Sequence, residues 1–229
     1  MTGKTHRVGG MLCVLGGFSY LESKGLLLSG VNPILQLTVM YPFAIYGSIF
    51  CDLDHDTHSI PSKDIVSLSI NKVLHLTTKF NEIKGGKPKG VFALFDSKHR
   101  SWQTHSDLFL VALLYGLYKL VMQSRNGTAE SVIVSLVGMG FVLGVVSHLL
   151  LDMLTPEGIW SVGLLIAGKV TKTGKVLPKK LKVVPYTRFF YTGGVWEDIV
   201  RRILWVACGL LFIRVLYLMS PYRVVFNFG

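Results

Sequence analysis

The sequence predicts an all-α polytopic membrane protein with about four to five transmembrane helices and a His/Asp metal site at one membrane interface. Half of its 229 residues are hydrophobic, the mean hydropathy is +0.48, and only 16% of the residues are charged. This composition is too apolar for an ordinary soluble domain. Two uncharged runs reach the ~20 residues that a helix needs to cross a bilayer. Histidine and aspartate residues recur where the apolar runs end.

Five apolar segments define the predicted spans of a single membrane-embedded domain, residues 1–229. The spans cover residues of about 8–28, 31–51, 107–123, 131–152 and 202–219. The second has no charged residue, and the fourth is apolar up to His148 and Asp152 near its end. The third and fifth contain Lys119 and Arg214, whose long side chains can reach toward an interface.

The first span is the least regular of the five. Residues 8–21 are few and rich in glycine, so they cross the membrane only if the helix continues past Glu22 and Lys24. A signal peptide is the alternative, because Lys4 and Arg7 precede the apolar stretch, although no small-residue cleavage pattern follows it.

The distribution of basic residues predicts how the protein is oriented. Most of the 24 Lys and Arg residues lie before the first span or in the loops 52–106 and 153–201. Because Lys and Arg near span ends are retained in the cytoplasm, we expect both loops and the N-terminus to be cytoplasmic. If the first segment does not cross, the later topology can be kept and the N-terminus lies outside.

The basic loops also predict partners. They are expected to attract the anionic headgroups of membrane lipids. Binding of nucleic acid is not expected, because aromatic residues do not alternate with the basic ones in these stretches. The sequence predicts no particular oligomeric state.

Four polar clusters occur at span ends: "THRVGG" before the first, "CDLDHD" after the second, "HRSWQTHS" before the third and "SHLLLD" ending the fourth. With five spans, all four clusters emerge on one face of the membrane. Asp52 and His55 are three residues apart, and His148 and Asp152 are four apart, so each pair shares a face of a continuing helix.

These clusters predict a metal site, because imidazole and carboxylate groups are ligands of Zn²⁺ and of Mn²⁺ or Fe²⁺. A catalytic Zn²⁺ takes three protein ligands, and the clusters contain more candidate ligands than that. The additional residues predict either a second ion or a role in orienting ligands and transferring protons. A lone His or Asp inside a membrane is costly and normally has a partner, whereas a histidine beside a basic N-terminus is more often solvated. The candidate ligands are His6, Asp52, His55, His105, His148 and Asp152.

Three further residues are candidates for catalysis. Asp54 can ligate the metal or hold an imidazole N–H in place. Arg100 can bind a phosphate or carboxylate through two hydrogen bonds, or equally a lipid headgroup. Glu197, which opens the last apolar segment, can act as a general base, although an acid favoured there by the helix dipole is the simpler role.

The ordered set "THRVGG", "CDLDHD", "HRSWQTHS" and "SHLLLDMLTPEG" resembles the YdjM-like family of bacterial inner-membrane proteins, described as membrane-bound metal-dependent hydrolases. The resemblance runs from His6 to about Arg202 and adds His99 to the implied metal ligands. The positions that match are His6, Asp52, Asp54, His55, His99, Arg100, His105, His148, Asp152, Thr155, Gly158 and, at a late acidic position, Glu197.

Two features depart from the family pattern. Cys51 stands where the family usually has proline, which bears on how the second span ends and leaves the ligands unchanged. The loop of residues 59–98 differs in length, so the substrate is not transferred from the family.

The hypothesis that follows is a membrane-bound hydrolase that acts on a lipid-linked phosphoester through a metal-activated water. The cofactor expected for this hydrolase is one or two divalent ions. Zn²⁺ is the expected metal, and Mn²⁺ or Fe²⁺ are the alternatives. An amide-bond hydrolase, a divalent-metal transporter and a non-catalytic protein with a structural metal remain open. Transporter sites lie near the membrane midplane, whereas these clusters lie at span ends.

Overall fold

The computed structural model describes residues 2–54, 65–72, 104–124, 128–155, 158–160, 180–181 and 193–220. These residues are largely helical, and two two-residue strands, β1 (Ile159–Trp160) and β2 (Lys180–Leu181), pair antiparallel. A 3-10 turn, Cys51–Asp54, follows the second long helix, and residues 65–72 are helical. The long helices are α1 (Gly3–Ser23), α2 (Pro33–Phe50), α3 (Asp107–Ser124), α4 (Ala129–Met153) and α5 (Val195–Met219).

Local side-chain hydrogen bonds explain where two of the helices begin. The side-chain oxygen Oδ1 of Asn32 accepts a hydrogen bond from the Ile34 N–H at 2.8 Å, and Pro33 occupies the first helical position of α2. The Ser106 hydroxyl oxygen likewise accepts from the Phe109 N–H at 3.1 Å at the start of α3. Each cap satisfies an N–H group that has no partner within its own helix.

Helix α1 lies closer to the N-terminus than the predicted span 8–28. It ends because Gly25 adopts a left-handed conformation, with φ of +64°. The Leu26 N–H then donates to the Leu21 carbonyl at 2.8 Å, which is the hydrogen bond of a glycine-terminated helix end. The predicted continuation past Lys24 is therefore wrong, and α1 reaches its length of 21 residues by beginning at Gly3 instead.

Four segments of the described chain are helices long and apolar enough to cross a membrane: Pro33–Leu53, α3, α4 and α5. This confirms the predicted all-helical membrane fold. Helix α1 is not among the four, since polar and charged residues occupy both of its ends. Its crossing of the membrane stays a prediction, as does the complete five-span topology.

Glycines bring the backbones of α2 and α4 unusually close together. A Cβ atom added at Gly140 would meet the Met40 carbonyl, and one added at Gly144 would meet the Ala44 carbonyl. Small residues at such crossings allow close packing where hydrophobic burial drives association only weakly. Helix α1 packs against α2, α4 and α5, so α1, α2 and α4 form the centre of the bundle.

The helices alternate in direction, and this brings distant parts of the chain to one end of the bundle. His6 at the start of α1 lies beside Asp152 at the end of α4. His105, just before α3, contacts His148 of α4, and Asp52 follows α2 directly. The ends that the sequence marked with polar clusters therefore meet in space.

Candidate metal centre

Four side chains from three segments of the chain converge with their ligand atoms facing one another. The His105 and His148 Nε2 atoms are 3.2 Å apart. Asp152 Oδ2 lies 3.4 Å from the former and 3.5 Å from the latter. Asp52 Oδ1 lies 3.9 Å and 3.7 Å from the same two nitrogens. The two imidazoles and two carboxylates thus form a compact cluster.

These separations fit the donor set of a divalent ion. Bonds of ~2.0–2.1 Å in a tetrahedral arrangement place ligand atoms about 3.3–3.4 Å apart, which is close to the distances in this cluster. His105, His148 and Asp152 are 0% exposed, and Asp52 is 8% exposed. Both carboxylates lie within 4 Å of the same two imidazoles, and buried negative charges are costly unless positive charge compensates them. The cluster is therefore suited to hold a cation.

His148 is oriented for ligation by a backbone group of α2. Its Nδ1 lies 2.7 Å from the Ser48 carbonyl oxygen, which can only accept a hydrogen bond. Nδ1 must therefore carry the proton, and in the neutral ring Nε2 then has the free lone pair that a metal requires. The contact of His105 Nδ1 with the Thr104 hydroxyl at 3.0 Å fits the same tautomer.

His6 lies beside this cluster and is held differently. Its ring stacks on His148 with centroids 3.9 Å apart, and its Nε2 lies 3.5 Å from Asp152 Oδ1. Neither of its ring nitrogens has a hydrogen-bond partner among the described residues, although the side chain is 0% exposed. Burial, with a smaller contribution from the neighbouring His148, holds the pKa of His6 well below its usual range. The ring is therefore held neutral, and one of its nitrogens offers a lone pair to a metal.

Two groups of residues can hold an ion: Asp52, His105 and His148 in one, and His6, His148 and Asp152 in the other. His148 belongs to both, and a single Nε2 lone pair serves one ion. Asp152 presents Oδ2 to His105 and His148 and Oδ1 to His6. The two groups therefore overlap at His148, with His6 at the second oxygen of Asp152, and the number of bound ions, one or two, stays a prediction.

The turn after α4 holds the backbone of Asp152. The Thr155 hydroxyl donates to the Asp152 carbonyl at 2.7 Å, and the Thr155 N–H donates to the same oxygen at 2.9 Å. Gly158 has φ of +63°, a left-handed conformation that side chains disfavour. Thr155 and Gly158, which match the family pattern, thus lie in the turn that follows α4 and its ligand.

The structure brings together five of the predicted metal ligands: His6, Asp52, His105, His148 and Asp152. The side chain of Asp54 lies outside the described part of the chain, although its backbone belongs to the 3-10 turn. His55, His99 and Arg100 also lie outside the described residues. The roles predicted for these four residues stay predictions.

Glu197 is buried and receives hydrogen bonds from the first turn of α1 and from Gly193. Its predicted role as a general base stays a prediction. The sequence did not identify Ser48 or Thr104 as supports of the ligands. Thr104 has a visible signal, since it directly precedes a ligand, but Ser48 acts through its backbone carbonyl, which every residue has.

The family model described as YdjM inner membrane protein matches residues 1–222, nearly the whole chain. No curated protein and no solved structure matches the chain.

Proposed function

The chain belongs to the YdjM family of inner membrane proteins, and from this premise we propose that it is a membrane-bound, metal-dependent hydrolase of a lipid-linked phosphoester. The observation that carries the proposal is the buried contact of Asp52 and Asp152 with both His105 and His148, at one end of a bundle of helices suited to cross a membrane. The donor set fits Zn²⁺, and Mn²⁺ or Fe²⁺ are the alternatives.

A divalent cation in this cluster supplies Lewis acidity and makes water a nucleophile at neutral pH. The protein contributes four oriented donors and a site from which bulk water is largely excluded. Hydrolysis adds water across a P–O bond, so one proton of that water needs an acceptor. We propose that the His6 ring carries it to the leaving oxygen, since His6 lies 3.5 Å from Asp152 Oδ1 and the negative charge of that carboxylate favours the protonated imidazole.

A lipid substrate is proposed because of where the cluster lies. Asp52 follows α2, and Asp152 lies in the last turn of α4, so the cluster is at the end of two helices suited to cross a membrane. A phosphate attached to a lipid is held at that depth. We place this end at the cytoplasmic face, on the basis of the basic residues in the loops. Arg100 remains the predicted phosphate ligand.

The proposal is tested first by metal content. The full chain, purified in detergent and loaded with Zn²⁺, is expected to contain one or two ions, and His148→Ala should lose them. Ser147→Ala is the matched control, because Ser147 is the buried neighbour on α4 and its hydroxyl bonds the Gly144 carbonyl. Loaded wild-type protein is then assayed on phospholipids and polyprenyl phosphates. Metal binding without any metal-dependent turnover would count against the hydrolase.

A structural metal is the second candidate, and one observation favours it. Two histidines and two aspartates are enough to complete a tetrahedral site, as in structural zinc sites. This alternative predicts that chelation unfolds the protein, since metal-binding energy would then be folding energy. A hydrolase predicts instead that the chelated protein stays folded and regains activity when the metal is restored.

A further inference from the structure

Glu197 has an unusual set of contacts for an acid on a membrane helix. It is only 1% exposed, and its Oε1 accepts hydrogen bonds from the Thr2 N–H at 2.5 Å and from the Thr2 and Thr5 hydroxyls at 2.6 Å each. Its Oε2 accepts from the Gly193 N–H at 2.6 Å. One carboxylate thus joins the beginnings of α1 and α5, through residues Thr2 and Glu197 that are 195 positions apart in the chain.

These hydrogen bonds replace the usual cap of α1. Thr2 is the N-cap residue, but its side chain makes no capping hydrogen bond within its own helix. Both hydroxyls of the first turn point to Glu197 instead. A carboxylate beside the start of a helix is also favoured by the helix dipole. The first turn of α1 is therefore held by α5.

His6 follows Thr5 directly, and its position depends on that first turn. His148 and His105 are each fixed by a contact at Nδ1, with the Ser48 carbonyl and the Thr104 hydroxyl. Neither ring nitrogen of His6 makes such a hydrogen bond within the described ranges. Its ring is placed by stacking on His148 and by the backbone of α1. The anchor of that backbone next to His6 is Glu197.

We propose that Glu197 is a positioning residue that fixes the first turn of α1, so that His6 is held against Asp152 and His148 in the metal centre. This inference rests on the proposed function only in requiring that the cluster binds a metal. Under this proposal Glu197 acts by fixing the start of α1 and does not contact the substrate.

The experiment compares three variants of the full chain in detergent. Glu197→Gln keeps the size of the side chain but removes the charge and one acceptor, and Thr5→Val removes the opposing hydroxyl at similar volume. Asp198→Asn is the control, because Asp198 is exposed on the same turn and pairs with Arg201. Affinity for Zn²⁺ is measured by competition with a chromophoric chelator, and the unfolding midpoint is recorded in parallel.

Glu197→Gln and Thr5→Val are expected to weaken Zn²⁺ binding about ten- to a hundredfold, the usual effect of losing a group that orients a ligand. Asp198→Asn should bind as wild type does. Combining Glu197→Gln with His6→Ala should weaken binding no further than His6→Ala alone, because both changes act through one imidazole. A lower unfolding midpoint with unchanged affinity, or additive losses in the double variant, would overturn the proposal.

A second measurement does not require metal. Diethyl pyrocarbonate modification of His6 in the metal-free protein, followed by mass spectrometry, should be slow in wild type and Asp198→Asn and several-fold faster in Glu197→Gln. Equal rates would contradict the proposal. If the wild-type protein bound no Zn²⁺, both the metal centre and this inference would be refuted. Absence of lipid hydrolysis in metal-loaded protein would refute the proposed function and leave the affinity and modification results as they stand.

Discussion

Asp152→Asn is the most informative single change, because Asp152 is the one described residue that lies beside all three histidines of the centre. Its two oxygens are 3.4 to 3.5 Å from the Nε2 atoms of His6, His105 and His148. The asparagine has almost the same size and shape, so the substitution removes a negative charge with little change in packing. It leaves the other three donors of the main cluster in place.

The expected loss of affinity follows from these distances. An ion bound between these ligand atoms would lie closer to the carboxylate than 3.5 Å. Even at 3.5 Å a unit charge gains about 5 kcal/mol at an effective dielectric constant of about 20, and a divalent ion gains more. The cost of removing water from the ions offsets much of this gain. We therefore expect Zn²⁺ affinity to fall at least about a hundredfold, or about 2.7 kcal/mol. That loss should exceed the loss in Asp52→Asn, whose carboxylate is more exposed and lies 3.7 to 3.9 Å from two histidines.

The assay is competition for Zn²⁺ against a chromophoric chelator, with metal content per chain measured by atomic emission. Asp198→Asn makes the same chemical change at an exposed carboxylate and should leave affinity unchanged. If Asp152→Asn bound Zn²⁺ within a few-fold of wild type, or lost less than Asp52→Asn, then Asp152 would not be the central ligand. The reasoning from distance and burial would be wrong.

Three further predictions follow from the fold and the site. Gly144→Ala should destabilise the protein by about 1–3 kcal/mol in a detergent unfolding titration, because the new Cβ meets the Ala44 carbonyl, whereas Gly116→Ala, with open space around it, should not. The folded-state pKa of His6 is lowered, so in metal-free protein its contribution to stability is complete above about pH 6.5 and is lost as the pH falls. The unfolding midpoint of the wild-type protein should therefore drop on acidification. The midpoint of His6→Ala should depend less steeply on pH. Reporter fusions should give a cytoplasmic N-terminus and an external C-terminus, and an external N-terminal signal would contradict the five-span topology.

Much of the site could be predicted because its chemistry is local. The four-residue spacing of His148 and Asp152 places both on one face of a helix, and the structure finds them 3.5 Å apart. A histidine within an apolar run needs a partner, and this requirement identifies the pair from the sequence alone. Asp52 and His105 were identified by position alone, at the end of one apolar run and the start of the next.

Other features required the fold. His6 beside a basic N-terminus had a simple interpretation as a solvated residue, yet it is buried and stacked on His148. The hydrogen bonds of Glu197 to Thr2 and Thr5 join the two ends of the described chain, and no spacing rule connects residues so far apart. The backbone carbonyl of Ser48 has no signal in the sequence, although it determines which nitrogen of His148 is free.

The sequence by itself determined that this is a helical membrane protein and which residue types line the ends of its spans, since hydropathy and helical periodicity are properties of neighbouring residues. The tertiary structure decided which of those residues meet. Gly140 and Gly144 allow α2 and α4 to approach closely, and this approach sets the depth at which Asp52 faces His148 and Asp152. Ligand distances of 3 to 4 Å depend on packing between helices, and the packing depends on contacts made across the whole bundle.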